Sequence, residues 1–195
     1  NNYNQFPPLI YQVASAGLEP SSISFPLRRI FQGYKNYFCR MAEVRDIDTK
    51  EKAIHTSVGT IHYNYLVLAM GGTTNFFGNE DIERHALPMK TVEDSMALRN
   101  HILLALERAE TEEDAEKRQK YMNFVIVGGG PSGVEIAGAL AEMKKDIVPK
   151  DYPNLADHMH IYLLNSGQRL LKAMDPASSA TAERDLKKMG VHVRN

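Results

Sequence analysis

The sequence predicts an α/β protein whose last third is one half of a doubly wound parallel sheet, preceded by a small antiparallel meander. Three observations carry that expectation. Between residues 123 and 193, apolar strand-like runs alternate with helical segments. A glycine-rich run, Gly128-Gly129-Gly130-Pro131-Ser132-Gly133, stands between the first of those strands and its helix. Residues 37–63 hold three short segments separated by turn-forming residues.

Residues 1–30 read as irregular or short-helical, because Pro7, Pro8, Pro20 and Pro26 each remove a backbone donor and bias the preceding residue away from helix. Leu9 to Ala14 has room for one or two helical turns. The meander follows as Tyr37 to Asp46, Ala53 to Thr56 and Thr60 to Tyr63, with turns at Asp48-Thr49-Lys50 and Ser57-Val58-Gly59. Tyr65-Leu66-Val67-Leu68-Ala69-Met70 is continuously apolar and stopped by Gly71-Gly72, the pattern of a central parallel strand buried on both faces. Residues 73–90 read as a loop and end the first expected domain, residues 1–90, leaving residues 91–195 as the second.

Thr91-Val92-Glu93-Asp94 opens a helix with the hydroxyl-to-acid spacing of a capping box. Leu98, Ile102, Ala105 and Ala109 then set one apolar stripe on one helix face. The charge-rich Glu110 to Lys120 reads as a solvated helix end or loop. Asn123 to Val127 reads as a buried strand, Ser132 to Lys145 as a helix and Ile161 to Leu164 as a second strand. Asp175-Pro176 starts the final helix with Asp as N-cap and Pro at the first helical position, Gly190 stops it, and Val191-His192-Val193 begins another strand.

Composition narrows the function classes. The 195 residues carry 23 Lys and Arg against 24 Asp and Glu, a net charge of -1, which leaves no overall basic excess for a phosphate backbone and disfavours a dedicated nucleic-acid binder. Cys39 is the only cysteine, so an internal disulfide framework, a Cys-rich zinc site and a CxxC redox pair are all ruled out. No run approaches the ~20 apolar residues of a membrane span, and the N-terminus reads neither as a signal peptide nor as a natural start. The chain is therefore expected to be soluble and cut from a longer protein. The seven His residues are scattered and the nine Met residues read as core filler, so no metal site is expected.

The glycine run matches G-x-G-x-x-G in the place where that motif has a mechanism. Gly128 permits a tight turn, Gly130 lets the backbone approach a pyrophosphate, and Gly133 lets the helix pack closely on its strand. The helix N-terminus adds free amides and a positive dipole end. Gly133, Ala137 and Ala141 repeat every four residues and give the helix a flat face. A Rossmann-like dinucleotide-binding domain is the reading. The acid that usually accepts from a ribose hydroxyl is replaced by Asn165, 32 residues after Gly133, the polar stretch from Lys144 to His158 lengthening the connection. Asn bonds a hydroxyl without repelling a ribose phosphate, which leaves NADH against NADPH open, and Arg169 reads either as a phosphate partner or as a surface residue. Glu135, two residues past the last glycine, reads either as a group near the nicotinamide or as an acid favoured by the helix dipole.

Residues 2–14, with Phe6-Pro7-Pro8-Leu9-Ile10-Tyr11-Gln12-Val13-Ala14, and then Leu18-Glu19-Pro20 and Pro26-Leu27-Arg28, resemble a segment of the flavin domain of type II NADH dehydrogenases. Residues 65–71 are similar to that family's Y-L-V-L-A-T-G strand, residues 87–91 to its interdomain crossover, and residues 124–140 to its G-G-G-P-[ST]-G-V-E nicotinamide loop. The resemblance covers the whole chain. It implies a respiratory-chain enzyme in which NADH gives hydride to FAD and electrons pass on to a quinone, as a cytoplasmic protein peripheral on the inner face of the cell membrane.

Carried over residue by residue, the resemblance places Phe6, Pro8, Leu9, Ala69, Met70 and Gly71 against flavin and Val44 at the adenine. Gly128, Gly130, Ser132, Gly133 and Asn165 hold NADH, with Glu135 where the two rings meet. Met70 stands where the family has Thr, weakening one flavin contact. The resemblance also implies that residues 1–90 are an incomplete FAD-binding domain, with its first strand, its phosphate loop and the segments that touch membrane and quinone lying outside the sequence. The chain by itself is accordingly expected to be inactive, free of FAD and prone to self-association. The alternatives are a ferredoxin-reductase-like or apoptosis-inducing-factor-like flavoprotein and, for the chain alone, an inert NADH-binding module; a disulfide reductase is excluded by the single cysteine.

Overall fold

In chain order the computed structural model, which describes residues 2–195, begins with strand β1 (Tyr3–Gln5) and a helical turn at Pro7–Leu9 that runs into α1 (Ile10–Ala14). Strand β2 (Ser24–Pro26) and the single-turn helix α2 (Leu27–Ile30) follow. Next come β3 (Val44–Asp48), β4 (Ala53–Thr56), β5 (Gly59–His62) and α3 (Glu80–His85). The remainder is α4 (Val92–Thr111), α5 (Ala115–Tyr121), β6 (Asn123–Val127), α6 (Pro131–Asp146), α7 (Val148–Asp151), β7 (His160–Leu164), α8 (Pro176–Lys188) and β8 (Val191–Arg194).

Two compact units form, one from residues 2–5 and 24–75 and the other from residues 6–23 and 76–195. The smaller unit holds the antiparallel ribbon of β1 with β2 and the meander β3-β4-β5. Its turns are side-chain driven. Asp48 Oδ1 accepts from the amides of Lys50 and Glu51 at 2.8 and 2.9 Å, and Thr56 Oγ1 donates to Gly59 O across the second hairpin. The first meander strand is shorter than its sequence suggests, covering Val44 to Asp48 while residues 37–43 lie outside any ladder. Residues 65–70 also depart from expectation. They form no ladder among the described residues, and Tyr65, Val67, Leu68 and Met70 are all exposed. An apolar run becomes a strand only when a neighbouring backbone supplies hydrogen-bond partners, and none of the described strands does so here.

The larger unit contains the parallel sheet β6-β7-β8, with β6 aligned on β7 from Asn123–His160 to Val127–Leu164. Helix α4 starts with the anticipated reciprocal cap, Thr91 Oγ1 accepting from Asp94 N at 3.1 Å and Asp94 Oδ2 accepting from Thr91 N at 2.9 Å. Its stripe delivers Ile102, Ala105 and Ala109 to the core, with Leu106 beside them. Residues 115–121, within the stretch read as a solvated helix end or loop, are helical because the Asp114 carboxylate caps two amides. Asn79 Oδ1, accepting from the Ile82 amide at 3.0 Å, caps α3 inside the expected 73–90 loop.

On α6 the small residues Ala137 and Ala141 are buried, next to Ile136, Leu140 and Met143, and pack with Ile161, Leu163 and Val191 of the sheet. Residues 6–23, read from sequence with the first domain, supply Ala14 to this same core. Strand β6 is half-buried rather than fully buried. Phe124 and Ile126 pack on the core, whereas Val125 and Val127 are 57% and 60% exposed, since β6 has a ladder partner on one side and core packing on one face.

Candidate functional site

The site grows from the turn that joins β6 to α6. Gly128 N–H donates to Leu164 O at 2.8 Å, carrying the parallel ladder one residue beyond the strand, and Gly128 then turns with a φ of +113, which a residue bearing a side chain adopts at a cost. Gly133 sits directly over that turn. A Cβ there would run into the Gly128 carbonyl oxygen and lie 3.1 Å from the Gly128 carbonyl carbon, with Leu163 Cδ1 at 3.5 Å. The glycine is thus required by the close approach of helix to strand, as the motif implies.

Gly130 is different. Its backbone is extended, at φ -78 and ψ -179, and a Cβ would meet no protein atom within 4 Å. No internal packing demands glycine there. It is the N-cap of α6, followed by Pro131 at the first helical position, and among the described residues no side chain caps the first amides of that helix. Helices α3, α4, α5 and α8 are all capped by a side chain, from Asn79, Thr91, Asp114 and Asp175. On α6 the amides of Ser132 and Gly133 and the positive dipole end are offered at a bare backbone surface. Ser132 and Glu135 are both exposed beside it, and the Glu135 carboxyl is held above its usual range by partial desolvation.

A second segment reinforces this turn. Residues 165–171, leaving β7, return to the glycine-rich loop, where Leu171 N–H donates to Gly129 O at 2.7 Å. Asn165 Nδ2 donates to Gly167 O at 2.9 Å and to Arg169 O and Asn195 Oδ1 at 3.2 Å. A Cβ on Gly129 would lie 2.7 Å from Asn165 Cγ and from Leu170 Cδ2. Gly129, the unassigned middle position of the motif, is a further glycine under steric demand. Arg169 does not reach out for a phosphate. Its guanidinium donates to Met174 O, Lys172 O and Ser179 Oγ at 2.7–2.9 Å, bracing the entry to α8.

Gly128, Gly130, Ser132, Gly133, Glu135 and Asn165 therefore gather at the carboxyl end of the parallel strands, where ligands of open α/β sheets bind. Phe6, Pro8 and Leu9 stand in the turn leading into α1 of the same compact unit, with Phe6 N–H donating to Ile23 O at 2.8 Å. Val44 and Ala69 to Gly71 belong to the other unit, and Gly71 has a φ of +74 with no protein atom in its Cβ direction. Among the described residues no cluster of His, Cys, Asp and Glu is placed to hold a metal ion, and no helix is long and apolar enough to cross a membrane.

The sequence profile of the pyridine nucleotide-disulphide oxidoreductases matches residues 2–195. The chain is 33% identical over 194 residues to a type II NADH:quinone oxidoreductase, NdhA, of Mycobacterium tuberculosis, covering 97% of this chain and 41% of that protein. It is 31% identical over 205 residues to the mitochondrial external alternative NAD(P)H-ubiquinone oxidoreductase B4 of Arabidopsis thaliana, covering 99% and 35%. Its fold matches an NDH2 from Plasmodium falciparum solved in complex with NADH, with a TM-score of 0.89 at 24% identity over 99% of this chain and 41% of that one. A sulfide:quinone oxidoreductase from Aquifex aeolicus shares the fold with a TM-score of 0.75 at 18% identity, over 100% and 43%. The chain spans 35–43% of the length of these proteins.

Proposed function

The chain belongs to the pyridine nucleotide-disulphide oxidoreductase family, and on that premise we propose that it is part of an FAD-dependent NADH dehydrogenase that delivers electrons to a quinone. The single observation that carries the proposal is the bare, uncapped N-terminus of α6 above a turn that only glycines can make. The names of the relatives, NADH:quinone and NAD(P)H-ubiquinone oxidoreductases, supply the substrate classes. Residues 91–195 are the NADH-binding domain in this reading and residues 1–90 contribute to the FAD-binding domain. In this reading the whole enzyme is cytoplasmic, peripheral on the inner face of the cell membrane, and works in a respiratory chain.

The residues fit a dinucleotide. A side chain at Gly130 would fill the space that its bare backbone leaves, so the glycine is explained by a pyrophosphate lying against the Ser132 and Gly133 amides. Gly128 and Gly133 hold that cradle in shape. Asn165 belongs to the ribose end, and Glu135 lies toward the nicotinamide, its carboxyl held above the usual range by partial desolvation. For flavin, the smaller unit offers Gly71, whose backbone is free of side chain after Ala69 and Met70, and the exposed Val44; in the larger unit, taken by itself, Phe6, Pro8 and Leu9 offer apolar surface. A bound FAD would supply the hydride-accepting and electron-relaying chemistry between nicotinamide and quinone, and the protein groups would orient and shield that exchange.

Titration with NADH tests the carrying observation. Wild type is expected to bind saturably and Gly130→Val to lose binding at an unchanged melting temperature. Equal NADH affinity in the two proteins would remove the glycine loop from the site. For the whole enzyme of which the chain is proposed to be part, NADH consumption that requires a quinone acceptor is expected, and NADH oxidation indifferent to quinone would overturn the wider proposal.

A further inference from the structure

We infer that Asn165 works as a positioning residue: its carboxamide locks the 165–171 segment beneath the glycine-rich loop, and a carboxylate cannot take its place. The inference rests on nucleotide binding at that loop and concerns how the loop is held. The amide nitrogen of Asn165 faces the carbonyl oxygens of Gly167 and Arg169 and Oδ1 of Asn195, at 2.9, 3.2 and 3.2 Å. Three acceptors around one nitrogen determine which way the carboxamide points. Its Oδ1 is then the atom turned to Gly129, 2.8 Å from where a Cβ would be. Asn165 N–H donates to Arg194 O at 2.8 Å, so the residue's own backbone is anchored in the sheet while its side chain fills the space over Gly129.

This brace continues through backbone. Leu171, held at a φ of +50, donates its N–H to Gly129 O at 2.7 Å, and the fully buried Leu170 puts Cδ2 into the same Cβ space. Gly129 lies directly before Gly130, the residue whose bare backbone faces the nucleotide. Tilting Gly129 therefore re-aims the cradle. An Asp at position 165 would set a carboxylate oxygen against two main-chain carbonyl oxygens, acceptor facing acceptor, in place of the present donor. Coenzyme choice is consequently not read by the residue 165 side chain as a charge. It passes to groups of the exposed turn beside it, such as Ser166 and Gln168.

The test is a set of NADH and NADPH titrations well below the melting temperature, on wild type, Asn165→Ala, Asn165→Asp, Gly129→Ala and the Gly129→Ala/Asn165→Ala double variant. Loss of the brace is expected to weaken both nucleotides alike, by about tenfold, in Asn165→Ala and Asn165→Asp, leaving the NADH-to-NADPH ratio of wild type. Gly129→Ala is expected to weaken binding strongly alone and to cost less in the Asn165→Ala background than in wild type, because one of the two side chains it collides with is gone and only Leu170 Cδ2 remains. Three results would overturn the inference: Asn165→Asp raising the ratio while keeping NADH affinity, Asn165→Ala binding like wild type, or the two single losses simply multiplying in the double variant. Gly130→Val is the control for the underlying site. If it too binds NADH as wild type does, the nucleotide reading itself fails; if it alone loses binding, the loop stands and the brace is refuted.

Discussion

Replacing Gly133 by alanine separates the glycine that the fold needs from the glycine that the ligand needs. The new methyl runs into the Gly128 carbonyl, and its two nearest atoms are backbone. No rotamer change relieves such a contact. Gly128 is itself held by its hydrogen bond to Leu164 O at 2.8 Å and by a φ of +113, so either the turn leaves the sheet or α6 lifts off β7. Overpacking of this kind costs about 1–3 kcal/mol, and the upper value applies where only backbone can yield. For a chain of this size each kcal/mol lowers Tm by roughly 2–4 °C, giving an expected fall of roughly 6–12 °C. Gly130→Ala is the comparison, with an ordinary φ and no neighbour within 4 Å, so its stability should stay within about 1 kcal/mol of wild type while NADH affinity drops. Thermal melts followed by circular dichroism, paired with NADH titration, read both quantities. Gly133→Ala melting within about 2 °C of wild type would refute the close-approach argument, and Gly130→Ala binding NADH undiminished would refute the ligand argument.

Thr91→Ala removes half of the reciprocal cap on α4 and is expected to cost about 1 kcal/mol, a fall in Tm of roughly 2–4 °C by calorimetry, with NADH binding unchanged. The Asp175 carboxylate, held below its ordinary range by hydrogen bonds from the Ser178 hydroxyl and amide, stabilises α8 above the usual Asp pKa and loses that contribution as the pH falls through its folded pKa. Asp175→Asn, which keeps one acceptor oxygen and does not titrate, should be somewhat less stable than wild type near neutrality and lose less stability on acidification below about pH 4, as followed by melts across pH. Tyr152 donates to Glu107 Oε1 at 2.7 Å and its phenol is pushed up to about 12, first by that hydrogen bond; Glu107→Gln should bring tyrosinate formation back toward its ordinary range in an ultraviolet pH titration.

The parts of this protein legible in its sequence are those whose cause lies within a few residues. The β6-turn-α6 unit, the Thr91 cap three residues from its partner, and the Asp175-Pro176 start of α8 all follow from periodicity, capping chemistry and glycine conformation acting locally. Glycines 128, 130 and 133 were legible for the same reason, since the tight turn and the helix approach are written into one short run. The tertiary structure decided what depends on partners far along the chain. The β1–β2 ribbon joins residues about twenty apart through backbone groups that carry no side-chain signature. The apolar run at 65–70 has a strand's composition, but composition supplies no ladder partner. Arg169 is a plausible phosphate ligand in one dimension and becomes a brace in three, because the carbonyls of Lys172 and Met174 and the Ser179 hydroxyl converge on it. Gly129 looks like the free position of its motif. Only folding brings Asn165 and Leu170, some forty residues later, into the space where its side chain would be, and steric exclusion between distant segments is a property of the packed chain alone.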